Sequence, residues 1–319
     1  MKKPAQPDAT ALSLGLIVAH HGRHFLLETN QGARLLAYAR GKKSPGLVGD
    51  QVWWQASGDG AAIAQMAPRR NVFYRQDALR TKSFAANLDQ ILILLAAKPE
   101  FSSHQLARAL IAAEAMHITP LIVLNKRDLA EPFAKAWAWL QPYRDMAYTV
   151  LPLSLKTVSS DQAPLWALLQ GKTTLVLGPS GVGKSTLINL LVPDAAAQTG
   201  TLSHALNSGK HTTTCTTWYW VDRRQKTALI DSPGFQEFGL HHIEPAALAH
   251  HMPDLRQHAA ACKFYNCSHR HEPGCAVLAA VCPPGADQTL AHSVSQTISA
   301  NRYKIYGDLY AELSAAQKY

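Results

Sequence analysis

No apolar run in this chain reaches the length of a membrane-spanning helix. The short hydrophobic stretch Leu12 to Ala19 ends in His20, His21 and Arg23 without a cleavage-like site. Membrane and secreted classes are thereby set aside, and a cytosolic protein is expected. Cysteine is also scarce: five residues, clustered and odd in number, make no disulfide framework and fit a reducing compartment. Acidic side chains are outnumbered, 22 against 31 Lys and Arg, which leaves a net charge of +9 before any of the 15 histidines is protonated. A nucleotide-sized site needs no such excess, so a nucleic-acid partner is the favoured reading. The 319 residues contain no internal repeat or low-complexity linker and suffice for two or three domains with real cores.

Nucleotide-binding signatures are present, in an order opposite to that of ordinary GTPases. Gly178, Pro179, Ser180, Gly181, Val182, Gly183, Lys184 and Ser185, followed by Thr186, fit the phosphate-loop pattern G-x-x-x-x-G-K-[ST]. Its glycines let backbone N–H groups close around phosphate oxygens, and the helix that follows adds its positive end. The apolar run Thr173 to Leu177 reads as the strand before the loop and Ser185 to Leu191 as the helix after it. Lys184 is then the phosphate lysine and a catalytic candidate, and Ser185 a ligand of Mg²⁺. The tetrad Asn125, Lys126, Arg127 and Asp128 lies upstream, at the end of the apolar run Ile118 to Leu124. A carboxylate such as Asp128 accepts both donors on the base edge of guanine, and adenine offers no matching pair. Ser154, Leu155 and Lys156 resemble the loop that backs the guanine ring. With the base reader leading and the phosphate loop following, a circularly permuted GTPase domain binding GTP or GDP is expected.

Downstream, the run Thr227 to Ile230 delivers Asp231, Ser232, Pro233 and Gly234 to a sheet edge. There Asp231 is expected to hold Mg²⁺ and Gly234 to meet the γ-phosphate. The intervening stretch from Gly209 through Lys210, His211, Thr212, Thr213 and Thr214 carries hydroxyls for Mg²⁺, with Thr213 taken as ligand and catalytic candidate. Ras-like proteins place a water-orienting glutamine after the glycine, whereas this chain has Phe235. Slow intrinsic hydrolysis is therefore expected, with the missing group supplied by His211, by Gln236 or by a partner; His211 is preferred.

Cys262, Cys267, His269 and Cys275 supply three thiolates and an imidazole in one short segment, enough for one structural Zn²⁺, with His271 as the alternative imidazole. Cys282 reads as a buried thiol. Up to Tyr74 the chain reads as five short strands, Leu14 to Val18, Phe25 to Glu28, Arg34 to Ala39, Asp50 to Gln55 and Ala61 to Met66, separated by turn residues. A small barrel of the oligonucleotide-binding (OB) type is expected, with Arg40, Lys42 and Lys43 as phosphate contacts. Trp53 and Trp54 alternate faces, so one is expected in the core and the other could stack on a base, with core packing the favoured role for each. A basic connector follows from Arg69 to Lys82. In the C-terminal region, Gln288 to Leu313 is helix-like, with Arg302 and Lys304 expected on a polar face.

The chain resembles the ribosome small-subunit-dependent GTPase A (RsgA) family over essentially its whole length. The stretches that carry the resemblance are the permuted motifs, Arg40-Gly41-Lys42, Val48-Gly49-Asp50, Ala86 to Gln90, Asp231 to Phe235, Cys262 to Cys275 and Arg302-Tyr303. It departs from the family at Ser232, where Thr is common, and from GTPases generally at Leu155, where Ala is usual. The resemblance implies a multidomain α/β protein: an OB-type β-barrel (1–74), a basic connector (75–83), a circularly permuted P-loop GTPase domain (84–240) and a zinc-binding helical domain (241–319). It also implies a role in late maturation of the small (30S) ribosomal subunit through its 16S rRNA, with GTP hydrolysis stimulated by the subunit and coupled to release. A monomer is expected. The turn at Asp231 feeds into the zinc domain, so loss of the γ-phosphate is expected to move that domain. A P-loop ATPase or nucleotide kinase would lack the tetrad, and a zinc-containing nucleic-acid binder with a vestigial site would not keep Lys184, Ser185 and Asp231.

Overall fold

The computed structural model describes residues 12–21, 24–39, 46–58, 60–77, 80–156, 162–195, 216–232, 238–282 and 297–316. Five strands come first: β1 (Ser13–His21), β2 (His24–Thr29), β3 (Arg34–Ala39), β4 (Gln51–Ser57) and β5 (Gly60–Met66). β1 pairs with both β2 and β4, β2 with β3, and β5 with both β3 (parallel) and β4, so the sheet closes on itself. Alternate residues fill its interior, Ile17, Phe25, Leu27, Ala37, Val52, Ala61 and Ile63, with Trp54 against them. Trp53, 39% exposed, faces outward. This is the OB-type barrel that the strand spacing predicts; Arg40, Lys42 and Lys43 lie outside the described residues.

The expected connector carries an antiparallel hairpin, β6 (Val72–Gln76) and β7 (Thr81–Ala86). Phe73 and Phe84 from its two strands pack on Phe238, with ring centroids 5.5 and 5.8 Å away. Barrel and hairpin are stitched together by backbone groups. The Ala86 N–H donates to Val48 O (2.9 Å), and beside it the Asn87 side-chain Nδ2 donates to Gly49 O (2.9 Å). Gly49 has φ +93°, and a Cβ there would lie 2.2 Å from Ala86 O, so only glycine permits the approach.

The central sheet runs β10-β9-β8-β11-β13-β12, built from β8 (Gln90–Ala96), β9 (Thr119–Asn125), β10 (Thr149–Pro152), β11 (Thr173–Leu177), β12 (Thr217–Asp222) and β13 (Thr227–Asp231). All neighbours are parallel except β12 and β13. β8 is buried throughout, and its residues alternate between two cores: Ile91, Ile93 and Leu95 in one, Leu92, Leu94 and Ala96 in the other. A strand covered on both faces needs apolar residues at every position, hence its unbroken run. Helices α1 (Ser103–Ala115), α2 (Ala130–Trp139), α3 (Gln141–Asp145), α4 (Ala163–Leu169) and α5 (Lys184–Leu191) belong to this region. Because β8 lies between β9 and β11, the tetrad and the phosphate loop emerge from one edge of the sheet on either side of it.

Beyond the sheet come a 3-10 helix (Pro245–His251), α6 (Pro253–Ala259), α7 (Ala276–Ala279) and α8 (Ala300–Ala316). α8 packs along α1, with His104 3.0 Å from Asp308 and Arg108 2.9 Å from Glu312. Arg302 does not lie on a polar face with Lys304 as expected. It is 3% exposed, its guanidinium donates to both oxygens of Asp254 (2.8 and 3.0 Å), and it lies 5.2 Å from the centre of the Tyr143 ring. A partner 48 positions away in sequence compensates the buried charge. Lys304 is exposed as expected. Among the described residues, no helix is long and apolar enough to cross a membrane.

Candidate functional site

The phosphate loop follows the last residue of β11 and ends where α5 begins, at Lys184. Gly181 and Gly183 have φ of +79° and +104°, conformations that bend the backbone around a small concavity. A Cβ at Gly183 would sit 2.6 Å from the side-chain nitrogen of Asn125, so the glycine also makes room for the tetrad. Gly178 is held as tightly, since a Cβ there would lie 2.7 Å from Leu94 O on β8. Ser180, Gly181, Ser185 and Thr186 face solvent at the rim, Pro179 is half-buried, and Val182 anchors the loop in the core.

Asn125, 4% exposed, joins the two halves of the site. Its Nδ2 donates to Val182 O (2.8 Å) and its Oδ1 accepts from Leu155 N (3.1 Å). One side chain thus ties the tetrad to both the phosphate loop and the Ser154–Lys156 loop. Lys126, at φ +68°, donates its ammonium to Gly181 O (2.9 Å) and to Lys98 O. Nothing in the local sequence of Lys98 marks it as a partner of the tetrad. Asp128 accepts from Ser154 Oγ at 3.0 Å and has Lys156 Nζ at 4.0 Å, while Arg127 is exposed and bonds through its backbone N–H to Leu153 O (3.1 Å). Every residue expected to read the base is therefore in one cluster beside the phosphate loop.

On the opposite side, Lys184 Nζ lies 2.5 Å from Asp231 Oδ1, the two side chains 19% and 13% exposed. Thr216 and Ser232 approach through their hydroxyls at 3.2 Å. Lys184 and the carboxylate of Asp231 thus meet at the start of α5, where the exposed Ser185 follows Lys184; a hydroxyl and a carboxylate are hard oxygens of the kind Mg²⁺ takes. His211, Thr213 and Gly234, with Thr212, Thr214 and Gln236, lie outside the described residues.

The second cluster is that of Cys262, Cys267, His269 and Cys275, whose ligand atoms all lie within 4.8 Å of one another. Cys262 Sγ is 3.8 Å from Cys275 Sγ and 3.5 Å from His269 Nδ1, and Cys275 Sγ is 3.6 Å from that nitrogen. A tetrahedron with metal–sulfur distances of about 2.3 Å has sulfur–sulfur edges of about 3.8 Å, so the four donors match a zinc site. Burial, then hydrogen bonding with the neighbouring thiols, pushes the Cys267 thiol up to about 12, and burial lowers His269. Thiolates this crowded repel one another unless a cation lies between them, and a neutral imidazole is the form that ligates. His269, not His271, supplies the ring. Cys282 is half-buried, not fully buried as expected.

Three supports of this cluster escaped the sequence reading. Glu272 accepts the backbone N–H groups of Ser268 (2.8 Å), Arg270 (3.1 Å) and His271 (3.2 Å), closing the loop between the ligands. Despite partial burial, these bonds hold its carboxyl well below the usual carboxylate range. From α8, the hydroxyls of Tyr303 and Tyr306 donate to His269 O and Ser268 O, both at 2.8 Å.

With both clusters in place, comparison with known proteins is decisive. The family model described as RsgA GTPase matches residues 66–241. The chain is 63% identical over 316 residues to a protein of Variovorax paradoxus named small ribosomal subunit biogenesis GTPase RsgA, covering 99% of this chain and 97% of that one. The chain belongs to the RsgA GTPase family. A protein of the same name from Paraburkholderia xenovorans is 50% identical, covering 88% of this chain and 90% of its own. Among solved structures, YloQ, described as a circularly permuted GTPase, superposes with a TM-score of 0.68 at 26% identity, covering 98% of both chains. YjeQ from Thermotoga maritima gives 0.71 at 26% identity over 95% of this chain and 99% of its own. The permuted order of the motifs matches the description of YloQ, and RsgA membership implies hydrolysis of GTP with Mg²⁺.

Proposed function

We propose that the protein binds the small ribosomal subunit through its 16S rRNA, assists its late maturation and hydrolyses GTP faster when bound, with hydrolysis coupled to release. The observation that carries the reading is Asn125, bonded at once to the phosphate loop and to the base-backing loop, which makes one guanine-nucleotide site out of three separated motifs. The relatives' name supports the ribosomal part, and the net charge of +9 suits an RNA partner.

In this reading Asp128 selects guanine, with Lys126 and Ser154 beside it, and Lys184 and the phosphate-loop N–H groups hold the phosphates. Ser185 and Asp231 would hold Mg²⁺, joined by Thr213, and the ion's charge offsets that on the β- and γ-oxygens. Lys184 exchanges its present carboxylate partner for phosphate oxygens. His211 is the proposed orienter of the attacking water; an unaltered stimulated rate in His211→Ala would remove it. Cys262, Cys267, His269 and Cys275 hold one structural zinc. The proposed domains are the barrel (1–74), the connector (75–83), the GTPase domain (84–240) and the zinc domain (241–319), in a monomer of the cytoplasm. Further along the chain, Phe238 packs against both Phe73 and Phe84, and Gln76 N donates to Gly239 O (3.1 Å). A switch driven by the γ-phosphate would thus act on the hairpin as well as on the zinc domain. Equal affinity for the subunit in the GTP-analogue and GDP forms would sink the switch.

The test is hydrolysis of GTP and ATP with and without purified small subunits, with Asp128→Asn as base control. Slow GTP turnover that rises only with subunits, together with loss of guanine preference in the variant, is expected. Turnover indifferent to subunits, or a preference for ATP, would overturn the reading.

A further inference from the structure

Glu28 sits on barrel strand β2, yet its carboxylate serves the GTPase sheet. It is 4% exposed, and both oxygens are used twice. Oε1 accepts from Trp220 Nε1 and an Arg223 nitrogen, both at 2.7 Å; Oε2 accepts from the second Arg223 nitrogen at 2.8 Å and from Arg34 Nε at 3.2 Å. Arg34 belongs to the barrel, but Trp220 and Arg223 lie on β12 and in the turn between β12 and β13. That turn is itself well formed, since Asp222 Oδ1 accepts the N–H groups of Arg224 (2.8 Å) and Gln225 (3.1 Å).

The hairpin is consequently gripped at both ends by the barrel. At its start, Thr217 pairs with Ala19 of β1; at its turn, Glu28 holds Trp220 and Arg223. The β12–β13 ladder shifts register between Trp220 and Asp222, and pairing resumes beyond the shift at Asp222 and Thr227. Glu28 acts at that irregularity. The other strand of the hairpin ends at Asp231, which pairs with Thr217 and lies against Val176 of β11, and whose carboxylate meets Lys184.

We propose that Glu28 is a positioning residue for GTP hydrolysis: through Trp220 and Arg223 it sets the β12–β13 hairpin, and with it the placement of Asp231 against Lys184. The proposal rests on the Lys184–Asp231 cluster being the hydrolytic site. A carboxylate is required because four donors converge on it; a glutamine would turn an N–H toward other N–H groups. The base-reading and phosphate loops do not touch Glu28, so its influence falls more on turnover than on nucleotide binding.

The experiment uses the full chain and its intrinsic hydrolysis of GTP under single-turnover conditions, with affinity for a fluorescent GTP analogue and thermal unfolding measured in parallel. Glu28→Gln is expected to slow turnover by about tenfold or more, as small displacements of reacting groups do. Its nucleotide affinity and KM should change far less than turnover, the pattern of a change felt mainly in the transition state. Trp220→Phe, which removes one of the four bonds and spares the ion pair, should slow turnover less and in the same sense; it carries the test should Glu28→Gln not fold. Adding Arg223→Gln to Glu28→Gln should slow turnover no further. Unchanged turnover in a folded Glu28→Gln protein, or a fall in affinity matching the fall in turnover, would overturn the assignment. Full turnover in Lys184→Ala would instead overturn the site reading beneath it, a separate failure.

Discussion

The side-chain amide of Asn125 reaches across 2.8 Å to the carbonyl oxygen of Val182, so the loop that reads the base and the loop that holds phosphate are bonded by a single residue. Both of its side-chain bonds are buried, and both end on backbone groups.

Asn125→Ala should therefore weaken guanine nucleotide binding and also destabilise the fold by about 1–3 kcal/mol, the cost of leaving buried polar groups unpaired. Titration with a fluorescent GDP analogue and chemical denaturation check the two effects. Normal nucleotide affinity would show that the loops hold their places without it.

Removal of the metal from the cysteine cluster should loosen the C-terminal region selectively. Cys275→Ser is expected to lose bound zinc and lower the unfolding midpoint, while a guanine nucleotide still binds at the distant phosphate loop. Ligation requires deprotonated thiols and a neutral imidazole, so zinc retention should fall on acidification. Elemental analysis of the purified chain is the direct check, and a zinc content unchanged by the substitution would contradict the ligand set.

The pair Arg302–Asp254 is enclosed, its side chains 4% and 8% exposed. Asp254→Ala should cost about 3–5 kcal/mol because it strands a buried guanidinium, and replacing both residues by apolar ones of similar volume should cost much less. A double-mutant cycle by denaturant unfolding measures the coupling. Additive losses would mean the two residues do not depend on each other.

His242 gives the protein a pH-sensitive element outside both clusters. Its ring lies 4.6 Å from that of Tyr74, neither ring nitrogen has a hydrogen-bond partner among the described residues, and burial, then His251 and His241, lowers its pKa from 6.5 to about 4. The unfolded chain binds this proton first, so stability should fall as pH drops from about 6.5 toward 4 and be insensitive to this group above that range. His242→Phe keeps a ring there and should flatten that part of the pH–stability curve. An unaltered slope would assign the acid sensitivity to other groups.

What the sequence revealed and what it hid follow one physical rule. Phosphate loop, tetrad and cysteine cluster are each written in contiguous residues, and the barrel strands in alternation over a few positions, so all were readable locally. Arg302 and Glu28 were not. A charged residue inside a helix or strand reads as solvent-facing unless its partner is known, and Asp254 and Arg223 lie 48 and 195 positions away. Glu272 was passed over for a different reason: it ligates no metal, yet it shapes the loop that does by collecting three N–H groups.

The strand order carries a consequence for a chain made from its N-terminus onward. The barrel, β1 to β5, closes using residues 13–66 alone and can form early in synthesis. The nucleotide cluster cannot: Asn125 must wait for Val182, and Lys184 for Asp231, which arrives on β13 only after its barrel-held neighbour β12. A nascent chain therefore owns a finished barrel long before its two motif-bearing loops can be bonded together, and the Lys184–Asp231 pair forms only when roughly the last quarter of its length is all that remains to be translated.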